Sequence, residues 1–126
     1  MHELLPATLD SVATARRAVH RFAADLEVDL DGIVLAVSEA VANAVSHAYL
    51  EDGDGVIELS AAASPLEVTV TVRDRGRGLG HADGKPGAGY GLLIIRRLAE
   101  HVELADTRDG VALTMAFRRG GAWSDN

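Results

Sequence analysis

The sequence predicts one mixed α/β domain. Three observations carry that expectation. Two segments before residue 51 repeat apolar residues at helical spacing, LEVTVTVRD at residues 66–74 alternates with period two, and a third helical segment leads into two short β-type runs. At 126 residues the chain has single-domain size and can bury a core without metal or disulfide staples. The expected domain is residues 1–126, with a core from about 7 to 118 and a frayed tail at 119–126.

The first helix is expected over residues 11–25, where Val12, Ala15, Val19, Phe22 and Ala23 recur at helical spacing. Arg16, Arg17 and Arg21 fall off that stripe, as a solvated face or a partner surface. The second helix starts after Asp29, Leu30 and Asp31, whose carboxylates suit the positive end of a helix dipole. Ile33, Val34, Val37, Val41, Val45 and Ala48 form its apolar face, and it stops before the breaker-rich EDGDG at 51–55.

VIELSAAA, from Val56, alternates loosely. In LEVTVTVRD the alternation is strict: Leu66, Val68, Val70 and Val72 point one way, Glu67, Thr69, Thr71 and Arg73 the other, and Asp74 stands at the strand's end. Ser64-Pro65 reads as the hairpin turn between them. RGRGLGHADGKPGAGYG, residues 75–91, reads as a glycine-rich loop. LLIIRRLAEH, from Leu92, reads as a third helix. VEL at Val102 and VALTMAF at Val111 read as strands joined through the turn-prone DTRDG.

Composition narrows the function classes. There is no cysteine, which excludes a disulfide framework and a Cys-ligated zinc site. No apolar run approaches the roughly 20 residues that span a bilayer. The start, MHELLPATLD, lacks the basic-then-apolar order of a signal peptide, so a soluble cytoplasmic protein is the simplest expectation. A formal net charge of −7 argues against nonspecific nucleic-acid binding, which needs a basic patch. It leaves room for a nucleotide, because backbone N–H groups and a metal ion can hold phosphate on an acidic protein.

Three stretches carry chemistry. In LAVSEAVANAVSHAY, Glu39, Asn43 and His47 are each four residues apart. Residues at that spacing are rotated about 40° from one another on a helix, so the three line the edge of the apolar face. The row is equally the polar rim of an amphipathic helix or a ligand site. A carboxylate can orient a nucleophile, and an Asn carbonyl is a hard neutral ligand suited to Mg²⁺. In DRGRG, Asp74 ends a well-patterned strand, where it could accept from an exocyclic amine, and Gly76 and Gly78 let backbone pass close to a flat ring. In GAGYGL, Gly87, Gly89 and Gly91 alternate into a helix start, which suits phosphate oxygens as well as it suits a flexible cap. Neither glycine stretch matches a Walker A motif or a dinucleotide fingerprint.

The order of these stretches, E-x-x-x-N, then D-x-G-x-G, then G-x-G-x-G-L, resembles the N, G1 and G2 boxes of the GHKL (histidine-kinase-like, Bergerat-type) ATP-binding superfamily. Within it the chain looks most like the anti-sigma factor serine/threonine protein kinases, with SEAVANAVSHAY close to their N box. The resemblance covers about residues 7 to 117. It implies a two-layer α/β sandwich, a mixed β-sheet with helices on one face and ATP–Mg²⁺ held between the layers. By position it makes Glu39 the catalytic base for an acceptor serine and Asn43 the Mg²⁺ ligand. It places Asp74 on the adenine amino group with Gly76 and Gly78 beside it. Gly87, Gly89, Gly91 and Leu92 fall at the phosphate end, and His47 near the phosphates. Lys85 falls in the lid, as a phosphate contact or a solvated lysine. The family's last box often sets threonine directly after glycine. Here Val111 follows Gly110, and the nearest hydroxyl, that of Thr114, is the cofactor-binding group that the resemblance implies for this strand. The usual N-terminal strand is reduced to HELLPA, a short sheet edge of the kind that can serve in dimer contacts.

The resemblance implies an ATP-dependent protein serine kinase that sequesters a bacterial sigma factor and phosphorylates an anti-anti-sigma (STAS-type) protein in the cytoplasm. The alternative is a non-catalytic ATP-dependent protein-binding regulator of the same fold, since the three boxes specify binding as much as turnover. A detached histidine-kinase catalytic domain fits less well, because the segment at about 79–88 is short. A gyrase-type ATPase would need accessory domains and a basic surface.

Overall fold

The periodicities of the sequence become eight elements in the computed structural model, which describes residues 1–51, 55–74, 88–107 and 110–120. In chain order they are β1 (His2–Pro6), α1 (Asp10–Ala23), α2 (Leu30–Glu51), β2 (Val56–Ala63), β3 (Glu67–Asp74), α3 (Ala88–Leu98), β4 (His101–Thr107) and β5 (Gly110–Arg118). The five strands form one sheet in the order β1-β2-β3-β5-β4.

Every described pairing is antiparallel, where the resemblance implied a mixed sheet. The reason is topological. β4 runs parallel to β3, but β5 lies between them and pairs with both in the opposite sense.

Residues directly opposite on an antiparallel ladder share a face, so the register sorts the side chains into two layers. Ile57, Leu59 and Ala61 of β2, Val68, Val70 and Val72 of β3, and Leu113, Met115 and Phe117 of β5 fall on one face. All nine are buried in the same cluster as Ala15 and Val19 of α1, Ile33, Val37, Val41 and Val45 of α2, and Ile95 of α3. The helices therefore cover that face alone, giving the expected two-layer sandwich. The other face carries Ser60, Thr69, Thr71 and Thr114. It also carries a charged group in which His2 Nε2 lies 2.6 Å and Arg73 Nε 3.8 Å from the Glu58 carboxylate.

Leu66 departs from the expected alternation. It sits in the β2–β3 turn and is 65% exposed, because Ser64 closes that turn through its own backbone and side chain. Arg119 and Gly120, expected to fray, are held: the Arg119 backbone N–H donates to the Leu66 carbonyl at 2.9 Å and Gly120 N–H to the Glu27 carbonyl. Gly110 opens β5 at φ 134°, a conformation that favours glycine.

α2 is the helix that carries the polar row, and Asp29 sets where it begins. Its carboxylate accepts from the Gly32 N–H at 3.1 Å while its carbonyl accepts from the Ile33 N–H at 3.0 Å, which is the geometry of an N-cap. Gly32 leaves room for this cap, since a Cβ there would lie 2.5 Å from Asp29 Oδ2. Asp29→Ala is expected to cost about 1 kcal/mol, read as a drop of several degrees in the thermal midpoint. An unchanged midpoint would remove the cap from the account of α2.

Candidate functional site

α2 supplies the first part of the site. Ala36, Val37, Ala40, Val41 and Ala44 are buried, and Glu39 and Asn43 between them are half-buried. This is the edge position that helical spacing predicted, with carboxylate and carboxamide one turn apart on the rim of the core. The row continues one turn on to His47, whose side chain lies outside the described residues.

β3 supplies the second part. Its odd residues face the open side of the sheet and its even residues face the helices, so parity carries Asp74 onto the same side as Val68, Val70 and Val72. Asp74 is 3% exposed, one of two buried polar residues among those described. Among the described residues no buried side-chain nitrogen or oxygen lacks a partner. A buried carboxylate at the end of a strand is expensive unless hydrogen-bonded, and it is a strong, directional acceptor.

α3 supplies the third part. It begins at Ala88, four residues before the expected start, so Gly89 and Gly91 belong to its first turn rather than to a loop. The first four N–H groups of a helix have no intrahelical partner, and they lie at the positive end of its dipole. The start of α3 is therefore an anion-seeking surface made of backbone. Leu92, expected at the phosphate end, packs against the core cluster and anchors this turn.

The tertiary structure joins the first part to the third. A Cβ placed on Gly91 would lie 2.8 Å from Asn43 Nδ2, 3.1 Å from Oδ1 and 3.3 Å from Cγ. The Asn43 carboxamide thus rests directly against the first turn of α3. Asp74 and Ala88 are the two ends of the connection between β3 and α3, whose residues 75–87 lie outside the described residues. Gly76, Gly78, Lys85 and Gly87 fall in that segment.

Thr114 requires a correction. It pairs directly with Thr71 across β3 and β5, and the two hydroxyl oxygens are 3.2 Å apart. Thr71 is on the open face of the sheet, so Thr114 faces away from Asp74 and the helices and does not join the site. The contact between Gly91 and Asn43 is the feature that sequence reading missed. Its one signal was a glycine directly before the helical pattern that starts at Leu92, in a helix that the structure extends back over it, where glycine is unfavourable unless space requires it.

The described groups offer a buried carboxylate acceptor, a carboxamide against a helix N-terminus and a carboxylate one turn before it. Such a set can hold a base by its amine, a hard cation by a neutral oxygen and an anion by the backbone N–H groups of a helix start.

The family model described as a histidine kinase-like ATPase domain matches residues 5–117. A curated anti-sigma F factor of Lysinibacillus sphaericus is 42% identical over 64 residues, which span 48% of this chain and 44% of that protein. The chain thus spans less than half the length of that relative. Among solved structures, the histidine kinase domain from the blue-light activated histidine kinase EL346 of Erythrobacter litoralis aligns with a TM-score of 0.59 at 18% identity. That alignment covers 93% of this chain and 63% of the other. A second structure of that kinase aligns at TM-score 0.60 and 21% identity, over 89% of this chain and 41% of the other. At these identities the solved structures speak for the fold.

Proposed function

The chain belongs to the histidine kinase-like ATPase domain family, and on that premise we propose that it is an ATP-binding anti-sigma regulatory factor with protein serine kinase activity. Its partners are a sigma factor, which it sequesters, and an anti-anti-sigma protein of STAS type, which it phosphorylates on serine in the bacterial cytoplasm. The observation that carries this reading is the meeting of Asn43 with Gly91 at the start of α3, beside Glu39 on the same helix and with Asp74 buried on the helix side of the sheet. The similarity to an anti-sigma F factor supports the regulatory part.

The residues fit ATP and Mg²⁺ by their chemistry. Asp74 is a strong acceptor for the adenine amino group, and its desolvated position sharpens the choice for a donor. Asn43 offers a neutral oxygen to a cation bound chiefly through phosphates and water. The backbone N–H groups at the start of α3 suit phosphate oxygens. Mg²⁺ would supply neutralisation of charge on the transferring phosphoryl group.

Glu39 then orients the acceptor serine hydroxyl and takes its proton. The serine oxygen forms the new P–O bond in line with the bond that breaks to the departing ADP oxygen. The aliphatic residues around Glu39 hold its backbone still, so only its side chain has to find the acceptor.

The experiment is transfer of radiolabel from ATP to candidate anti-anti-sigma proteins, run with calorimetric titration of ATP–Mg²⁺. Binding with labelled serine on a partner supports the reading. Binding with no labelled protein across all partners would replace it with a non-catalytic ATP-dependent regulator, and no binding would remove the nucleotide altogether.

A further inference from the structure

The geometry points to Gly91 as a positioning residue: its lack of a side chain is what seats the Asn43 carboxamide as a metal ligand. This inference rests on the nucleotide reading above. It gives Gly91 a different task from backbone contact with phosphate, which the resemblance implied.

Three observations separate the two tasks. First, Gly91 lies inside α3 and is not among the positive-φ glycines of the described residues, so backbone conformation does not demand glycine there. Glycine is a poor helix former, and its presence at this buried position needs another reason. Second, that reason is space of one kind. The three nearest heavy atoms to a Cβ at Gly91 all belong to the Asn43 side chain, at 2.8, 3.1 and 3.3 Å. Third, what would have to move is the free end of a side chain, not backbone. An alanine at 91 would be accommodated by turning the carboxamide away. The fold would survive and the ligand would be displaced.

Gly91 and Asn43 are thus one unit of two elements. α2 brings the carboxamide, and α3 brings a position without a side chain that leaves room for it. Groups that orient a metal ligand typically change metal affinity by about 10- to 100-fold when removed, although they do not touch the metal. The expected signature is a loss confined to the metal-dependent part of nucleotide binding.

The test is a double-mutant cycle of Gly91→Ala and Asn43→Ala in the full chain, titrated with ATP in EDTA and with ATP–Mg²⁺. Thermal melting serves as the fold control. Gly91→Ala is expected to lose roughly 10-fold or more of the Mg²⁺-dependent gain while affinity in EDTA stays within about twofold. In the Asn43→Ala background, where the obstructing side chain is gone, Gly91→Ala should add nothing further. Equal losses with and without Mg²⁺, or losses that add across the cycle, overturn the proposal in favour of a backbone or helix role.

A ligand-free reading accompanies the titrations. The Asn43 side-chain amide resonance should move in Gly91→Ala before any nucleotide is present, and an unmoved resonance overturns the steric contact. Wild-type protein that binds no nucleotide overturns the metal role together with the nucleotide reading, while the amide resonance still reports on the contact alone.

Discussion

Glu39→Gln is expected to bind ATP–Mg²⁺ as wild type does and to transfer phosphate about 10² to 10⁴ times more slowly, the range spanned by a positioned general base. Glutamine keeps the size and the helix propensity of Glu39 but cannot take a proton. The half-buried position on the rim of α2 should accept the change with little effect on folding, since Glu39 lies among Ala36, Ala40 and Val41 without being enclosed by them. The measurement is initial rate of serine phosphorylation on the cognate partner, with binding followed by calorimetry. Equal rates in wild type and variant would take Glu39 out of the reaction. Loss of binding and transfer together would make it a ligand-holding group instead.

Asp74→Asn should act one step earlier, on binding itself. The carboxylate is 3% exposed, so whatever it holds is held away from competing water. Loss of one hydrogen bond to a charged group is worth about 1.5–3 kcal/mol. That corresponds to a roughly 10- to 150-fold weaker dissociation constant. The asparagine NH₂ also presents a donor where a donor is to be received. A calorimetric titration of ATP–Mg²⁺ measures this, with thermal melting to show that the variant folds. Unchanged affinity would move the base-recognition role to some other residue.

Both predictions turn on residues that sequence patterning located, and for a shared reason. Secondary-structure periodicity is local physics. A four-residue spacing on a helix puts Glu39 and Asn43 on one edge whatever else the chain does, and the structure finds both half-buried there. Strand parity is equally local. Once Val68, Val70 and Val72 define the buried face, Asp74 must share it, and it does.

Thr114 shows where local reasoning stops. The stretch VALTMAF is apolar at nearly every position, because β5 lies between β3 and β4 and its residues from Val111 to Phe117 are buried apart from Thr114 itself. With no alternation in the stretch, the sequence holds no sign of which residues face the helices. Only the pairing of Thr71 with Thr114 shows that the hydroxyl faces the other way. The start of α3 escaped for a related reason. Gly89 and Gly91 depress local helix propensity, and packing of α3 against α2 and the sheet outweighs that weak preference.

The sequence by itself determined that there are three helices, the hairpin and closing strands, the acidic start of α2, the rim position of Glu39 and Asn43, and the parity of Asp74. Each follows from repeats of two or 3.6 residues and from the polarity of side chains that carry them. The tertiary structure alone decided that β5 enters between β3 and β4, that Thr114 leaves the site, and that Gly91 becomes the seat of Asn43. Those outcomes depend on contacts between elements far apart in the chain. Their energies arise from packing in three dimensions, and no periodicity along the chain encodes them.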